Sequence, residues 1–394
     1  MLAGKTVVLG VTGSIAAYKT ASLASALKKL DCDVHVIMTK NACEIITPLT
    51  FERLTGNKCI VETFDKINAF EVEHISIAQK ADMFMVAPAS ANILGKAANG
   101  IADDMLSTTL LATKAPIYFA PAMNTNMYLN PIVQDNMKKL ESYGCHIIEA
   151  ASGRLACGDV GIGKMPEPEV LLQYILKELA FEKDLAGKRI IVTAGATCED
   201  IDPVRYITNR STGKMGIAIA RAAMLRGADV TLIKAKTDVE PPMFVDVVNV
   251  RSAADMFDAV TSRFDKCDIV IKAAAVADYT PANVADEKIK KADGDMSLSL
   301  DRTKDILKYL GEHKTHQFIC GFSMETENVL ENSRKKLAKK NADMIAANSL
   351  RTAGAGFGTD TNVLTLITKD KEVELPIMSK DEAAHKLLDT IIKP

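Results

Sequence analysis

Short apolar runs recur along the chain, each followed by a turn of small or polar residues and then by a stretch with helical spacing. Residues 7–11 form the first run, with no polar interruption, which predicts a strand buried on both faces of a parallel sheet. The turn Gly10-Val11-Thr12-Gly13-Ser14 follows, and Leu23, Ala26, Leu27 and Leu30 mark the buried stripe of a helix expected to be capped by Ser14. Residues 34–39 are the second strand, which makes a βαβ unit with a right-handed crossover. Residues 41–64 read as a helix and a turn, 83–87 and 116–120 as the third and fourth strands, and 145–148 as a fifth. The third and fourth strands end in Pro88-Ala89-Ser90-Ala91-Asn92 and in Pro121-Ala122-Met123-Asn124-Thr125-Asn126-Met127-Tyr128. Small and amide residues at the carboxyl end of a parallel strand stand where such sheets bind ligands. Residues 152–166 hold four glycines and are expected to form a functional loop rather than a core element. Helical spacing returns over 167–179.

The alternation then restarts. Strands are expected at 189–193, 230–233, 269–273, 296–300, 318–321, 344–347 and 363–367, with helices at 217–226, 253–264, 305–310 and 327–340 and at the end of the chain. The expected class is α/β: two doubly wound Rossmann-like domains, the first flavodoxin-like, over 1–180 and 189–394, joined by a charged linker at 181–188. The halves share an architecture without a residue-level repeat.

Composition narrows the partners. Lys plus Arg (48) balances Asp plus Glu (50), so bulk charge gives no case for nucleic acid, and any anion site must be local. The eight cysteines form no C-x-x-C pair, which points to reduced thiols in a cytoplasm. The chain enters a strand pattern at once, without the flanks of a signal peptide, and no uncharged apolar run reaches the roughly 18 residues of a membrane span.

Gly10-x-x-Gly13-Ser14 is not the G-x-G-x-x-G of dinucleotide sites, and no acidic residue ends the second strand, so a mononucleotide phosphate fits the first turn better. A similar turn recurs as Thr193-Ala194-Gly195-Ala196-Thr197. A lone histidine is more often structural than catalytic, which applies to His35 and tempers His74. Asn124 can both donate and accept, and Cys157 lies on the glycine-rich stretch, where a thiol can be reactive. Lys288, Lys290 and Lys291 can be a solvated charge run, whereas Lys336 and Lys340 share one helical face and can converge on a triphosphate. Asp278 ends a buried strand, where it could meet a ribose or hydrated Mg²⁺. No H-E-x-x-H, Walker A or G-x-S-x-G motif occurs.

Taken in order, these motifs resemble a known family over essentially the whole chain: phosphopantothenoylcysteine decarboxylase fused to phosphopantothenate–cysteine ligase. The first half carries Gly13-Ser14-Ile15-Ala16-Ala17-Tyr18-Lys19, His74, Ala87-Pro88-Ala89-Ser90-Ala91-Asn92, Pro121-Ala122-Met123-Asn124-x-x-Met127 and Ala156-Cys157-Gly158. Tyr128 stands where the family often has Trp. The second half carries Arg205-Tyr206-Ile207-Thr208-Asn209-Arg210-Ser211-Thr212-Gly213-Lys214-Met215-Gly216, the segment 273–279 and Lys288-Ile289-Lys290-Lys291.

The resemblance implies FMN, held by Gly13, Ser14, Ile15, Ala16, Thr39, Ser90, Asn92 and Ser107. His74 would act as base or electrostatic aid, Asn124 would grip the substrate carboxylate, and Cys157 would donate the last proton. Substrate thiol oxidation, loss of CO₂ and re-reduction leave no net redox change. It further implies that the second half activates 4′-phosphopantothenate with CTP and Mg²⁺ as an acyl-cytidylate, from which the cysteine amine displaces CMP. Lys288 would stabilise cytidylate formation and Asn209 the amide-forming step. Ala273, Ala274, Asp278, Lys288, Asp305, Ile306, Phe322, Lys336 and Lys340 match CTP-binding positions, and no metal ligand is assigned. Trimers joined by ligase dimers into a dodecamer are the implied assembly. The rival readings are an NAD-dependent oxidoreductase with a duplicated Rossmann core, which would be colourless, and a non-catalytic flavoprotein scaffold, which would leave Lys288 and Asn209 unexplained.

Overall fold

Two parallel sheets organise the protein, one in each of the compact units Met1–Phe181 and Glu182–Pro394. The computed structural model describes residues 1–64, 73–154, 158–290, 296–325, 328–349, 356 and 358–393.

In the first unit the six strands lie in the order Cys59–Ile60, Asp33–Met38, Thr6–Val11, Met83–Ala89, Ile117–Pro121 and His146–Ile147, all parallel. This is the doubly wound order, in which the chain winds outward in both directions from its first strand. Thr6–Val11 and Met83–Ala89 are buried along nearly their whole length, as a sheet covered on both faces requires. Val8, Phe84, Leu106 and Phe119 fill one of the layers against the helices. Gly10 faces helix Met105–Ala112 so closely that a Cβ would meet Leu106 Cδ1 at 2.7 Å.

Three local expectations for this unit change. The helix after the first strand spans Ala17–Lys28 and is capped at Ala16, not Ser14. The amide of Ser14 bonds back to Thr12 O (2.8 Å), so the chain makes a tight turn first and the helix starts one step later. Residues 41–64 hold two short helices, Lys40–Cys43 and Pro48–Thr55, and an edge strand, Cys59–Ile60. The glycine-rich stretch contains an antiparallel hairpin, Ala151–Arg154 with Val160–Lys164. Its glycines serve close approach: a Cβ on Gly161 would strike Thr125 Oγ1, and one on Gly163 would strike Met123 O. The hairpin is thereby seated on segment 123–125, through Met123 N to Gly163 O (3.0 Å) and Thr125 Oγ1 to Ile162 O (2.8 Å).

The second unit repeats the doubly wound order. Its strands run Asp246–Asn249, Asp229–Lys234, Arg189–Ala194, Ile269–Lys272, Phe318–Glu325 and Met344–Ser349, all parallel, and then Leu364–Thr368 and Glu372–Glu374, antiparallel. Ile191, Val270, Leu310, Ile319 and Ile345 fill its core. The stretch read as a linker packs into this unit: Leu185 is buried, and Asp184 pairs with Arg226 at 2.5 Å. The strand expected at 296–300 is instead Leu300–Arg302, which pairs with Tyr279–Pro281, and the helix expected at 327–340 is Val329–Lys339.

Helix Lys214–Leu225 crosses the first strand of this sheet at Gly216, where a Cβ would meet Ala194 Cβ at 2.7 Å and Thr193 O at 2.8 Å. Gly→Ala in an open helix stabilises by about 1 kcal/mol, but here overpacking against backbone dominates and costs about 1–3 kcal/mol. Gly216→Ala should therefore lower the denaturant midpoint of the second unit; a raised midpoint would show that the helix does not lie this close.

Candidate active sites

Each sheet changes winding direction beside its first strand, and neighbouring strands there send their chains to opposite faces, leaving a crevice at their carboxyl ends. In the first unit the crevice lies between Thr6–Val11 and Met83–Ala89. Thr12 joins its two sides: its hydroxyl donates to Pro88 O (2.7 Å) and accepts from Ser90 N (3.0 Å). A cavity of about 470 Å³ opens there, lined among others by Gly13, Thr39, Ser90, Asn92, Met105 and Met127. Ser90 caps helix Ala91–Ala98, and Thr39 caps Lys40–Cys43. A Cβ on Gly13 would meet Asn41 Cβ at 2.6 Å, so only glycine fits that corner. Hydroxyls, a capped helix start and apolar Ile93, Met105 and Met127 suit a flavin's phosphate and ring together.

Lys96 lies on the same cavity, held between Asp103 (2.6 Å) and Asp104 (2.8 Å). Burial works against its charge, but the two carboxylates outweigh burial and hold the amine above its ordinary value. Asp104 in turn forms a capping box with Ser107.

In the second unit, the loop leaving Ile269–Lys272 is tied across the crevice. Ala274 N donates to Thr193 Oγ1 (3.1 Å), Ala277 N to Thr197 Oγ1 (3.0 Å) and Ala275 N to Gly195 O (2.9 Å). Gly195 has φ +87°, and a Cβ there would meet Lys236 O at 2.6 Å. A cavity of about 520 Å³ lies beside this loop and is strongly cationic, with Lys272, Arg302, Lys304, Lys308, Lys336, Lys339 and Lys340 on its walls against Asp278 and Asp305. Asp305 caps helix Ile306–His313 through Lys308 N (2.9 Å) and pairs with Lys340. Burial alone would raise the Asp305 carboxyl, but Lys340 and the Lys308 amide hold it below the usual carboxylate range. Lys336 donates to Phe322 O at 2.9 Å. A smaller pocket of about 160 Å³ adjoins, lined by Ser211–Gly216, Ala273–Ala275, Asn348 and Lys380, and Phe322 is common to both.

Residues 1–180 match the Flavoprotein family, and residues 185–393 match the DNA/pantothenate metabolism flavoprotein C-terminal domain. The chain is 49% identical over 395 residues to the coenzyme A biosynthesis bifunctional protein CoaBC of Bacillus subtilis (strain 168), covering 99% of this chain and 97% of that one. It belongs to the coenzyme A biosynthesis bifunctional protein family. The protein of that name from Haemophilus influenzae is 43% identical over 393 residues, covering 100% and 98%. A crystal structure of the C-terminal domain of such a protein is 45% identical with a TM-score of 0.47, covering 54% of this chain and 97% of that one.

Within this family member, six expected nucleotide residues meet at one cavity: Asp278, Asp305, Ile306, Phe322, Lys336 and Lys340. Ala273 and Ala274 line the smaller pocket. Asn209 is exposed, and its Nδ2 donates to Ala275 O (3.3 Å), which puts it on the same loop. Lys288 is exposed and lines neither pocket.

In the first unit Gly13, Thr39, Ser90 and Asn92 line the cavity, whereas Ser14, Ile15 and Ala16 are not among its described walls, and Ile15 is exposed. Ser107 is buried, and its hydroxyl donates to Asp104 Oδ1 (2.8 Å); it reaches the cavity only through that carboxylate. His74, half-buried on helix Glu73–Lys80, is not among the described walls either. Asn124 accepts from Asn126 N (2.8 Å) at the start of Thr125–Tyr128, a turn that sends Met127 into the cavity. Cys157 lies outside the described residues. Among the described residues, no group of three or more His, Cys, Asp or Glu side chains could hold a metal ion.

The motif reading passed over Asp202. This buried carboxylate accepts from Val204 N and Arg205 N (2.8 Å each), from Arg205 Nε (3.0 Å) and from Ile289 N (3.1 Å). Arg205 also donates to Ile289 O at 2.8 Å. The Arg205 guanidinium, with these amides, holds the Asp202 carboxyl well below the usual carboxylate range. A lowered pKa means that the latch is intact above about pH 4 and is lost only as acid protonates the folded state. Asp202 and Arg205 thus fix the backbone beside Lys288. Asp202→Asn keeps the shape but removes the charge, and a hydrogen bond to a charged group is worth about 1.5–3 kcal/mol. The Ile289 amide should then exchange with deuterium about tenfold faster or more, with strands Arg189–Ala194 and Ile269–Lys272 still protected; an unchanged rate would remove Asp202 as the anchor.

Proposed function

We propose that this protein carries out two consecutive steps of coenzyme A biosynthesis. The second unit joins cysteine to 4′-phosphopantothenate at the expense of CTP, and the first unit decarboxylates the product to 4′-phosphopantetheine with FMN. The observation that carries this reading is the gathering of Asp278, Asp305, Phe322, Lys336 and Lys340 at one cationic cavity, in a chain whose other crevice is lined by hydroxyls, a helix start and apolar side chains.

In the ligase step, the phosphopantothenate carboxylate attacks the α-phosphorus of CTP, and pyrophosphate leaves. Charge grows on the phosphate oxygens as this happens. Preorganised ammonium groups stabilise it without reorganising. Lys336 and Lys340 stand at the cavity for that purpose, and Lys288 supplies a further cation from its anchored loop. The cysteine amine then attacks the acyl carbon and CMP departs, with Asn209 orienting groups beside the Ala273–Ala275 backbone. Mg²⁺ enters with the triphosphate, as a hard cation held by phosphate oxygens and water.

In the decarboxylase step, Gly13, Thr39, Ser90 and Asn92 hold the FMN phosphate and ring edge, together with Ser14, Ile15 and Ala16, and Ser107 acts through Asp104. When bound, the flavin supplies a reversible two-electron acceptor. His74 takes a proton early, Asn124 holds the substrate carboxylate, and Cys157 returns a proton at the end. His74 and Asn124 are not among the described cavity walls of a single chain, while Ile15, Met127, Leu129 and Ile132 are exposed. Both facts support a homo-oligomer in which copies of the first unit complete one another's sites, within a dodecamer built from trimers. The free described cysteines and the lack, among the described residues, of a helix long and apolar enough to cross a membrane support a cytoplasmic setting.

The purified protein should be yellow, release FMN on denaturation, and consume cysteine and phosphopantothenate with CTP but far less with ATP. A colourless protein that binds nicotinamide nucleotide would overturn the reading. His74→Asn should retain flavin and the ligase reaction but lose CO₂ release. Cys157→Ser should accumulate an oxidised decarboxylated intermediate, and normal turnover by that variant would remove the thiol as proton donor.

A further inference from the structure

Lys272 is the one charged residue of the central strand Ile269–Lys272, and it closes an otherwise buried apolar run. In the register of the sheet it stands beside Thr193 on one side and Gly321 on the other. Its long side chain lines the 520 Å³ cavity. Four of the other six cations of that wall have protein partners, and the remaining two, Arg302 and Lys339, are exposed to solvent. Lys340 pairs with Asp305, Lys336 donates to Phe322 O, Lys308 lies 3.7 Å from Glu312, and Lys304 sits over the Phe257 ring. Among the described residues the Lys272 ammonium has neither a hydrogen bond nor an ion pair.

Placing an unpaired cation at a sheet's centre is unfavourable, and an aliphatic residue there would pack at no such cost. Burial works against the charge most, then Lys336; Asp305 and Asp278 favour it, and Lys340 works against it again, bringing the amine down to about 8. Arg302, Lys304, Lys308 and Lys339 complete the charged lining of the cavity. Seven cations against two carboxylates leave the site short of negative charge. A group held this way beside a crevice is arranged for a ligand rather than for the fold.

We infer that the Lys272 ammonium is a direct contact for the phosphate chain of the nucleotide bound in this cavity. The inference rests on the reading of the second unit as a nucleotide-dependent ligase. It assigns Lys272 a charge that the free protein loses as pH rises through about 8 and that the bound phosphates restore, so binding takes up a proton.

The test is calorimetric titration of the full-length protein with MgCTP, without cysteine or phosphopantothenate, from pH 7 to pH 9. The wild type should bind with an affinity that falls above about pH 8, by up to about tenfold per pH unit, and with proton uptake seen as a buffer-dependent enthalpy. Lys272→Met should bind MgCTP about tenfold more weakly or worse at pH 7, with that pH dependence lost. Lys272→Arg should bind at pH 7 and keep its affinity to pH 9, because a guanidinium does not titrate there. Cytidine, which has no phosphate, should bind all three proteins alike, and this reports an intact cavity. Equal MgCTP affinity and the same pH profile in wild type and Lys272→Met would overturn the inference while leaving the ligase reading in place. Equal loss of cytidine and MgCTP would also overturn it, as a structural effect. A wild type that binds no CTP would instead overturn the ligase reading itself.

Discussion

Both units depend on one topological constraint. A parallel sheet whose first strand sits in the interior must send its connections to opposite faces on either side of that strand. Just there, no helix covers the carboxyl ends, and the backbone can only be satisfied by turns and side chains from within the crevice. Thr12 does this in the first unit, and Thr193 with Thr197 does it in the second. A threonine at a strand end offers one hydroxyl that both donates and accepts, so it can bridge two chains that diverge. The crevices are therefore stiff where ligands meet them, although each is built from loops.

What differs between the crevices is charge. In the first unit the two lysines of the described cavity wall are both paired with carboxylates, Lys40 with Glu62 and Lys96 with Asp103 and Asp104, which leaves hydroxyls and helix starts to meet a phosphate. In the second, cations outnumber acids, which suits a more highly charged ligand. The same winding thus hosts two chemistries through side chains alone, which is why the fold by itself could not have named either.

The inner parallel strands and both ligand-facing turns were legible in the sequence, because a strand buried on two faces must be an unbroken apolar run and because the turn that ends it needs small residues; the short strands Cys59–Ile60, Asp246–Asn249 and Glu372–Glu374, which lack such a run, were not. Of the six residues that meet at the cationic cavity, Asp278, Lys336 and Lys340 were candidates from strand end and helical face alone, whereas Asp305, Ile306 and Phe322 were legible only through family resemblance, because nothing local joins them to the rest. Other features were hidden for physical reasons. Lys272 looks like the polar end of a strand, and its surroundings come from four separate segments. Asp202 looks like a turn former, and its bond to Ile289 spans the unit. The hairpin at 151–164 was hidden because glycine normally signals freedom, whereas Gly161 and Gly163 are there to let two backbones touch. The expected Ser14 cap failed because the turn's own backbone bonds came first.

The Asp305–Lys340 pair has a consequence for how the second unit would meet the nucleotide proposed for it. Asp305 is tethered by capping its helix, so it cannot swing away, and it keeps the Lys340 ammonium aimed and partly desolvated before any ligand arrives. The carboxylate behaves as a resident understudy for phosphate. In the proposed ligase an incoming triphosphate would share Lys340 with that carboxylate, joining an anion already in place rather than stripping water from a bare cation. A neutral ligand would gain nothing from that sharing, and a singly charged one would gain little. In the proposed ligase the pair would therefore grade ligands by their charge, adding affinity for a triphosphate that an uncharged nucleoside does not receive.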